Sequence, residues 1–202
     1  MVLLQDLTIQ IQADDPEQRQ LISGVSWEQY EALLNELGDS PRYRVTYLDG
    51  LLELMSPNRR YERNKTNIGS LLEDYLKEKR IPYFPLGSTT FRKQEKRGGL
   101  EPDESYCIGT DKDFPDLAIE VVETSGSIDK LEVYRRLQVR EVWFFKQNRF
   151  EIYHLRGEYY EQIQQSEVLP NLDLTILASY VSAPDPLEAV LEFREKIKQM
   201  KG

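Results

Sequence analysis

An acidic residue interrupts an almost continuous apolar run in this chain. When the segment "LAIEVV" is interpreted as a β-strand, it is apolar on both faces except at Glu120. Burying a lone carboxylate costs several kcal/mol even after the protein has relaxed around it. The sequence therefore predicts that another group partners Glu120, and the identity of that partner bears on both fold and function.

Strand register supplies Asp103 as the candidate partner. If "EPDESYCI" and "PDLAIEVV" pair as an antiparallel hairpin with Ile108 opposite Pro115, six residues form the loop and Asp103 lies directly across from Glu120. Opposite residues share a face and lie about 4.5 to 5.5 Å apart at Cα, so two carboxylates there repel each other unless a cation lies between them. A divalent cation would relieve the burial cost and the repulsion together.

Two alternatives to this pairing are open at the level of sequence. Asp116 shares a face with Glu120, but four residues at about 3.3 Å each separate them by roughly 13 Å, so we expect Asp116 to cap the loop instead. Glu120 could also lie on an edge strand and reach solvent. Asp103 considered by itself, in the polar context "GLEPDES", is typical of a turn or surface residue.

Two further charged residues are candidates for the same site. Lys130 falls in the first turn of a predicted helix, where the macrodipole disfavours a cation, whereas Asp129 beside it suits that position. A helix that doubles back over the preceding strand would aim Lys130 at the ion or its bound water; the alternative is an exposed lysine. Glu62 lies at the rim of an apolar helix stripe and is a candidate third carboxylate ligand, with plain solvation as its alternative.

Composition limits the classes of site and partner. One cysteine, Cys107, and one histidine, His154, leave no tetrahedral zinc site of the usual kind, so a metal would be held by oxygens. The formal charge is -9, yet residues 58–100 hold eleven Lys or Arg against five Asp or Glu. This basic stretch is either a phosphate-facing surface or a solvated helix face. With no apolar run long enough for a membrane span and no signal peptide, we expect a cytoplasmic protein.

The pattern of elements predicts one α/β or α+β domain with a mixed, largely antiparallel sheet flanked by helices. An acidic helical extension over 1–40 precedes a core over 43–172, and a C-terminal helix spans 185–202. Individual signals are helices over Ser26–Leu37, Arg60–Lys79 and Ile128–Leu137, hairpin turns at Asp49-Gly50, Asn148-Arg149 and Arg156-Gly157, and a closing helix that begins at Asp185-Pro186.

The combination of these residues resembles a known group of enzymes. An Asp after a proline on one strand, a Glu on the next and a lysine nearby resemble the PD-(D/E)XK nuclease superfamily. More closely, "DGLLELMSP", "GSTTFRKQ", "RGGLEPDESYCI" and "PDLAIEVVETSGSIDKLEVYRRLQVREVWFF" resemble the Uma-two family of restriction endonuclease-like proteins, in the form common among cyanobacteria. The resemblance extends over Tyr43–Leu172.

The resemblance implies a restriction-endonuclease-like fold and metal-dependent hydrolysis of DNA. Asp103 and Glu120 would hold Mg²⁺ or Mn²⁺, Glu62 would be an accessory acid, and Lys130 would be the catalytic lysine. The superfamily's lysine would stand two residues after the glutamate, where this chain has Val122. The family often carries a histidine where this chain has Tyr61, so activity depends on whether that exchange is tolerated.

Partners follow from the same chemistry. Cutting both strands of DNA usually requires two sites, so we expect a homodimer. A catalytically silent nucleic-acid-binding module on the same fold is the alternative to an enzyme, and the acidic N-terminal segment suggests a third possibility, a protein-interaction domain. Five basic side chains are candidates for contacts with backbone phosphates, which position DNA without reading its sequence: Arg59, Arg60, Arg63, Arg92 and Lys93.

Overall fold

A computed structural model describes residues 8–11, 18–38, 42–124 and 126–199. Parts of the predicted acidic extension, residues 1–7, 12–17 and 39–40, therefore lie outside the described residues. The chain divides into two compact units, and it crosses between them several times. The first unit comprises Met1–Asn58, Thr90–Glu101 and Thr124–Leu137, and the second comprises Arg59–Thr89, Pro102–Glu123 and Gln138–Gly202.

The first unit is built on one antiparallel sheet. In spatial order its strands are β1 (Thr8–Ile11), β2 (Gln20–Ser23), β4 (Leu51–Met55), β3 (Arg44–Leu48), β7 (Gly98–Leu100) and β6 (Phe91–Lys93). Two helices belong to this unit, α1 (Trp27–Leu37) and α3 (Lys130–Leu137). Stacked aromatic rings of Tyr30 and Tyr47, 4.8 Å apart, lie in its core.

Local signals explain two elements of the first unit. Helix α1 begins with a capping box, in which the Ser26 hydroxyl accepts the Gln29 N–H and the Gln29 side chain accepts the Ser26 N–H. The turn between β3 and β4 has positive φ at Asp49 (49°) and Gly50 (92°), as a type I′ hairpin turn requires. Both predictions are confirmed.

The second unit has a sheet of mixed direction. Its spatial order is β12 (Tyr159–Ile163), β11 (Arg149–Arg156), β10 (Glu141–Lys146), β9 (Leu117–Val121), β8 (Glu104–Ile108) and β5 (Tyr83–Pro85). Strands β9 and β10 pair in parallel, and the other neighbours pair antiparallel. Strand β9 is therefore an interior strand with a partner on each side.

Three helices complete the second unit: α2 (Arg59–Glu78), α4 (Leu174–Val181) and α5 (Pro186–Gln199). The buried face of α2 packs against β9, α4 and α5. The Arg194 guanidinium on α5 binds both carboxylate oxygens of Asp74 on α2, with Nη2 at 2.8 and 2.9 Å. Asp185 caps α5 by accepting the Leu187 N–H at 3.0 Å, as the sequence predicts.

The fold class is α+β, with two largely antiparallel sheets and five helices among the described residues. Some details differ from prediction. The turn between β10 and β11 is formed by Gln147 and Asn148, both with positive φ, one residue earlier than predicted. Strands β1 and β2 lie in the segment predicted to hold only a helix, and helix α4 was not predicted at all, although Asp173 caps it.

Candidate metal site

The register of β8 and β9 is the one that the sequence predicts. Glu104 pairs with Ile119, Ser105 with Ala118, and Tyr106 with Leu117. Asp103 immediately precedes β8, and its N–H donates to the Ile119 carbonyl at 3.1 Å. The predicted register of the hairpin is thus confirmed from Glu104 to Tyr106, and the direct facing of Asp103 and Glu120 stays a prediction.

Both acids of this pair are withdrawn from solvent. Glu120 is 0% exposed and Asp103 is 1% exposed. Glu120 also stands opposite Phe144 of β10, so its strand is covered on both edges. The alternative in which Glu120 lies on an edge strand and reaches solvent is therefore wrong.

Asp103 is held by donors from two different elements. Its Oδ2 accepts the Val121 backbone N–H at 2.6 Å, and its Oδ1 accepts the hydroxyl of Tyr61 from α2. Donors of this kind stabilise the ionised form of a buried carboxylate. The residue at the position where the resemblance favours a histidine thus contacts one of the two predicted metal ligands.

Asp116 does what the sequence predicts for it. Its Oδ2 accepts the Ile108 N–H at 2.8 Å, and the Lys112 ammonium lies 2.7 Å from its Oδ1. These bonds close the loop between β8 and β9. Asp116 is therefore a loop cap rather than a member of the buried acid pair.

The first turns of α2 place polar side chains beside the end of β9. Asn64 is 4% exposed, and its Nδ2 donates to Glu123 Oε1 at 3.1 Å. The Arg60 Nε lies 3.2 Å from Glu123 Oε2. Tyr61, Asn64 and Ile68 are spaced as one buried helix face, so this polar cluster extends the apolar stripe of α2 at its N-terminal end.

The structure does not gather Glu62 with the other two acids. Glu62 is partly exposed on α2, with its Oε2 3.9 Å from the Lys65 ammonium. Across residues 8–11, 18–38, 42–124 and 126–199, no group of three or more His, Cys, Asp or Glu side chains is placed to hold one metal ion. An accessory role for Glu62 thus stays a prediction.

The residues present fit a magnesium-type site with two protein carboxylates. Mg²⁺ commonly takes one or two carboxylates and completes its coordination with water and substrate phosphate oxygens. Metal-ligating carboxylates are themselves usually hydrogen-bonded by the protein, as Asp103 is. Asp103 and Glu120, both buried and the first oriented by two donors, would meet both criteria if they bind one ion.

Lys130 belongs to the first unit, where it lies in the first turn of α3 as predicted, although the helix begins at Lys130 and not at Ile128. Asp129 caps that helix by accepting the Glu132 N–H at 3.3 Å. The loop before α3 is fastened by buried Glu53, whose Oε2 accepts the Ser127 N–H at 2.6 Å. The position of Lys130 at the start of a firmly attached helix is established, and its catalytic role stays a prediction.

The candidate phosphate-binding residues have different surroundings. Arg59 and Arg60 are exposed at the start of α2. Arg63 donates to the carbonyls of Ala183 and Pro184, at 2.8 and 3.1 Å. In the first unit Arg92 binds Glu31 at 2.7 Å, and Lys93 is half-buried on β6. Arg60, which pairs with Glu123, and also Arg63 and Arg92 would have to exchange protein partners for phosphate.

Comparison with known proteins decides the family. A family model described as "Uma2: Putative restriction endonuclease" matches residues 27–182, well over half of the chain. The chain belongs to the Uma2 family. The matched region includes both buried acids and Lys130, and membership supports a nuclease function in general, with nucleic acid as the class of substrate.

Comparisons with solved structures and with curated proteins say less about this chain. One similar solved structure is described as "Crystal structure of a putative nuclease belonging to DUF820 from Anabaena variabilis ATCC 29413". It is 14% identical, with a TM-score of 0.45 over 74% of this chain and 90% of that chain. No curated protein matches this chain. Within the described residues, no helix of this Uma2 chain has the length and apolar character needed to cross a membrane.

Sequence reasoning missed a further buried acid, Glu141 at the start of β10. It is 0% exposed, and its Oε1 accepts the Trp143 indole N–H at 2.7 Å and the Ser166 hydroxyl. Its Oε2 lies 3.0 Å from the ring Nδ1 of His154 and also accepts the backbone N–H groups of Glu167 and Val168, at 3.0 and 3.3 Å. The signal was available, since Glu141 precedes the apolar run "VWFF" much as Asp116 precedes "LAI".

Proposed function

We propose that this Uma2 protein is a metal-dependent endonuclease that hydrolyses phosphodiester bonds in DNA. The observation that supports the proposal most is the burial of two acids of one hairpin, Asp103 immediately before β8 and Glu120 on β9. In this proposal one cation is bound by both carboxylates and offsets part of the cost of burying their charges.

In this proposal Asp103 and Glu120 hold Mg²⁺ or Mn²⁺. When bound, the cation would polarise a non-bridging phosphate oxygen and lower the pKa of a water ligand. Hydrolysis adds that water's oxygen to phosphorus and breaks the bond from phosphorus to one bridging sugar oxygen. The two acids contribute position and negative charge, and their burial keeps bulk water from weakening the interaction.

Lys130 enters the proposal through the family resemblance. An ammonium group can orient the attacking water or stabilise charge that develops on the phosphate in the transition state. Its location at the start of α3, just after a loop tied to buried Glu53, would limit its motion. We propose this role for Lys130 without assigning it a distance to the acids.

Exposed arginines at the start of α2 would contact the DNA backbone. Arg59 and Arg60 are the strongest candidates in the second unit, because Arg63 donates to two backbone carbonyls, whereas Arg60, although paired with Glu123, is largely exposed. Contacts of this type supply salt-dependent affinity and no sequence specificity. Cleavage of both strands would require two copies of the chain, so the proposal includes a homodimer on DNA.

A cleavage assay with site variants tests the proposal. The purified full chain is incubated with supercoiled, linear duplex and single-stranded DNA in Mg²⁺, in Mn²⁺ and with a chelator. We expect cleavage that needs the metal. Asp103→Ala and Glu120→Ala should abolish both metal binding, measured by calorimetry, and turnover, because each removes a ligand.

Asp116→Asn is the matched control for these variants. It alters a buried acid of the same hairpin that caps the loop, so it should lower the melting temperature yet keep metal binding and cleavage at temperatures where the protein is folded. Metal binding without cleavage of any DNA form would favour the catalytically silent module. Metal affinity that survives Asp103→Ala would place the ion elsewhere.

A further inference from the structure

We infer that Tyr61 is a positioning residue that locks the Asp103 carboxylate in one orientation for metal binding. The inference rests on the proposed metal site and adds a member to it from helix α2. It concerns the contact between Tyr61 on α2 and Asp103, both in the second unit. It also makes a prediction for the metal-free protein.

The geometry that supports the inference is a clamp on both carboxylate oxygens. Val121 of β9 donates its backbone N–H to Asp103 Oδ2 at 2.6 Å, and Tyr61 of α2 donates its hydroxyl to Oδ1. The last torsion of an aspartate side chain is otherwise soft and broadly distributed. With a donor on each oxygen, rotation of the carboxylate breaks at least one hydrogen bond.

Burial makes the Tyr61 bond stronger than an ordinary surface contact. Tyr61 is 0% exposed and Asp103 is 1% exposed. A buried tyrosine hydroxyl generally finds a partner, and a hydrogen bond to an ionised acceptor is about twice as strong as one between neutral groups. A tyrosine hydroxyl can donate one hydrogen bond, and an ionised carboxylate can only accept.

The clamp is compatible with metal binding. An ionised carboxylate can accept about four bonds, so two protein donors do not by themselves exhaust the capacity of Asp103. Donors to a ligating carboxylate fix its direction, and their removal typically costs 10- to 100-fold in metal affinity. The Tyr61 hydroxyl would thus raise affinity without touching the metal or the substrate.

The test compares Tyr61→Phe with Tyr75→Phe in the full chain. Both variants remove one hydroxyl from a tyrosine that is buried on α2, and both keep the ring. The first readout is native-state hydrogen exchange of the Val121 amide without metal. The second is calorimetric titration with Mn²⁺.

If the clamp operates, Tyr61→Phe should speed exchange of the Val121 amide by about tenfold, because the loosened Asp103 releases it, while amides elsewhere on β9 change less. The affinity for Mn²⁺ should fall roughly 10- to 100-fold. Tyr75→Phe should change neither quantity.

The two readouts separate failure of the inference from failure of the proposed function. Unchanged Val121 exchange in Tyr61→Phe overturns the inference, whether or not the protein binds Mn²⁺. Faster Val121 exchange in a protein that binds no Mn²⁺ supports the clamp and overturns the proposed metal site. Equal Mn²⁺ affinity in the wild type and Tyr61→Phe, where the wild type does bind, also contradicts the positioning role.

Discussion

Two neighbouring strands of the second unit each bury a glutamate, and the two acids differ in what surrounds them. Glu141 on β10 stands alone, and five groups of the protein surround its carboxylate within hydrogen-bonding distance. Glu120 on β9 belongs to the same hairpin as a further buried acid, Asp103. Hydrogen-bond donors stabilise a buried carboxylate, whereas two carboxylates close to each other are stabilised by a cation between them. The comparison contrasts an acid bound by the protein's own donors with the pair of acids that we propose as metal ligands.

The largest expected effect is the loss of stability when Glu141 is substituted. Glu141→Gln keeps the shape of the side chain but turns an acceptor oxygen into an amide donor, which then faces the groups that donated to it. We expect a loss of about 3 kcal/mol or more in the free energy of unfolding, because buried donors lose their acceptor. Urea denaturation measures this loss.

Mn²⁺ should still raise the melting temperature of Glu141→Gln as it does for the wild type. If the variant were as stable as the wild type, Glu141 would not stabilise the fold, and the contrast between Glu141 and Glu120 would not hold.

Lys130→Ala tests the proposed catalytic role of Lys130 and not the stability of the fold. Lysine is not a metal ligand, so metal affinity should stay the same or rise slightly when a nearby positive charge is lost. Turnover should fall roughly 100-fold or more, equivalent to about 2.7 kcal/mol of transition-state stabilisation. Lys130→Arg should restore little, because a guanidinium does not replace a compact ammonium.

Parallel metal titrations and cleavage rates separate these roles. A Lys130→Ala variant that cuts DNA as fast as the wild type would show that Lys130 is a solvated helix residue.

The smallest expected change in stability is that of Glu120→Gln without metal. The substitution removes like-charge repulsion and keeps the side-chain shape, so the metal-free variant should be as stable as the wild type or somewhat more stable. Metal should raise the melting temperature of the wild type by mass action but not that of the variant.

Differential scanning calorimetry with and without Mn²⁺ measures both quantities. A metal-induced shift of equal size in the two proteins would show that the ion binds away from Glu120. A metal-free Glu120→Gln that unfolds as readily as Glu141→Gln would erase the distinction between the two acids.

Much of the site could be inferred from sequence because it depends on strand pairing between adjacent segments. A hairpin with a short loop has few possible registers, and the sequence predicts the one that the structure shows between Glu104–Tyr106 and Leu117–Ile119. The loop-capping role of Asp116 followed from the same strand geometry. These are local relations, since they span fewer than twenty residues of chain.

Relations between distant segments were not accessible in this way. The sequence marked Tyr61 only as a departure from the family pattern, while the structure shows its hydroxyl on Asp103, 42 residues away. Glu141 likewise gains Ser166 from 25 residues along the chain. Strand β2 was missed because its short, mixed pattern acquires meaning only when it pairs with β4.

The sequence by itself determined the local structure and the candidate acids. Caps at Ser26 and Asp185, the turn at Asp49-Gly50 and the register between β8 and β9 all follow from backbone preferences and short-range pairing. The tertiary structure alone decided how the strands divide into two sheets and which donors reach each buried carboxylate. The physical reason is that hydrogen bonds to a buried acid come from any element packed nearby, and packing between distant segments leaves no periodic trace in the sequence.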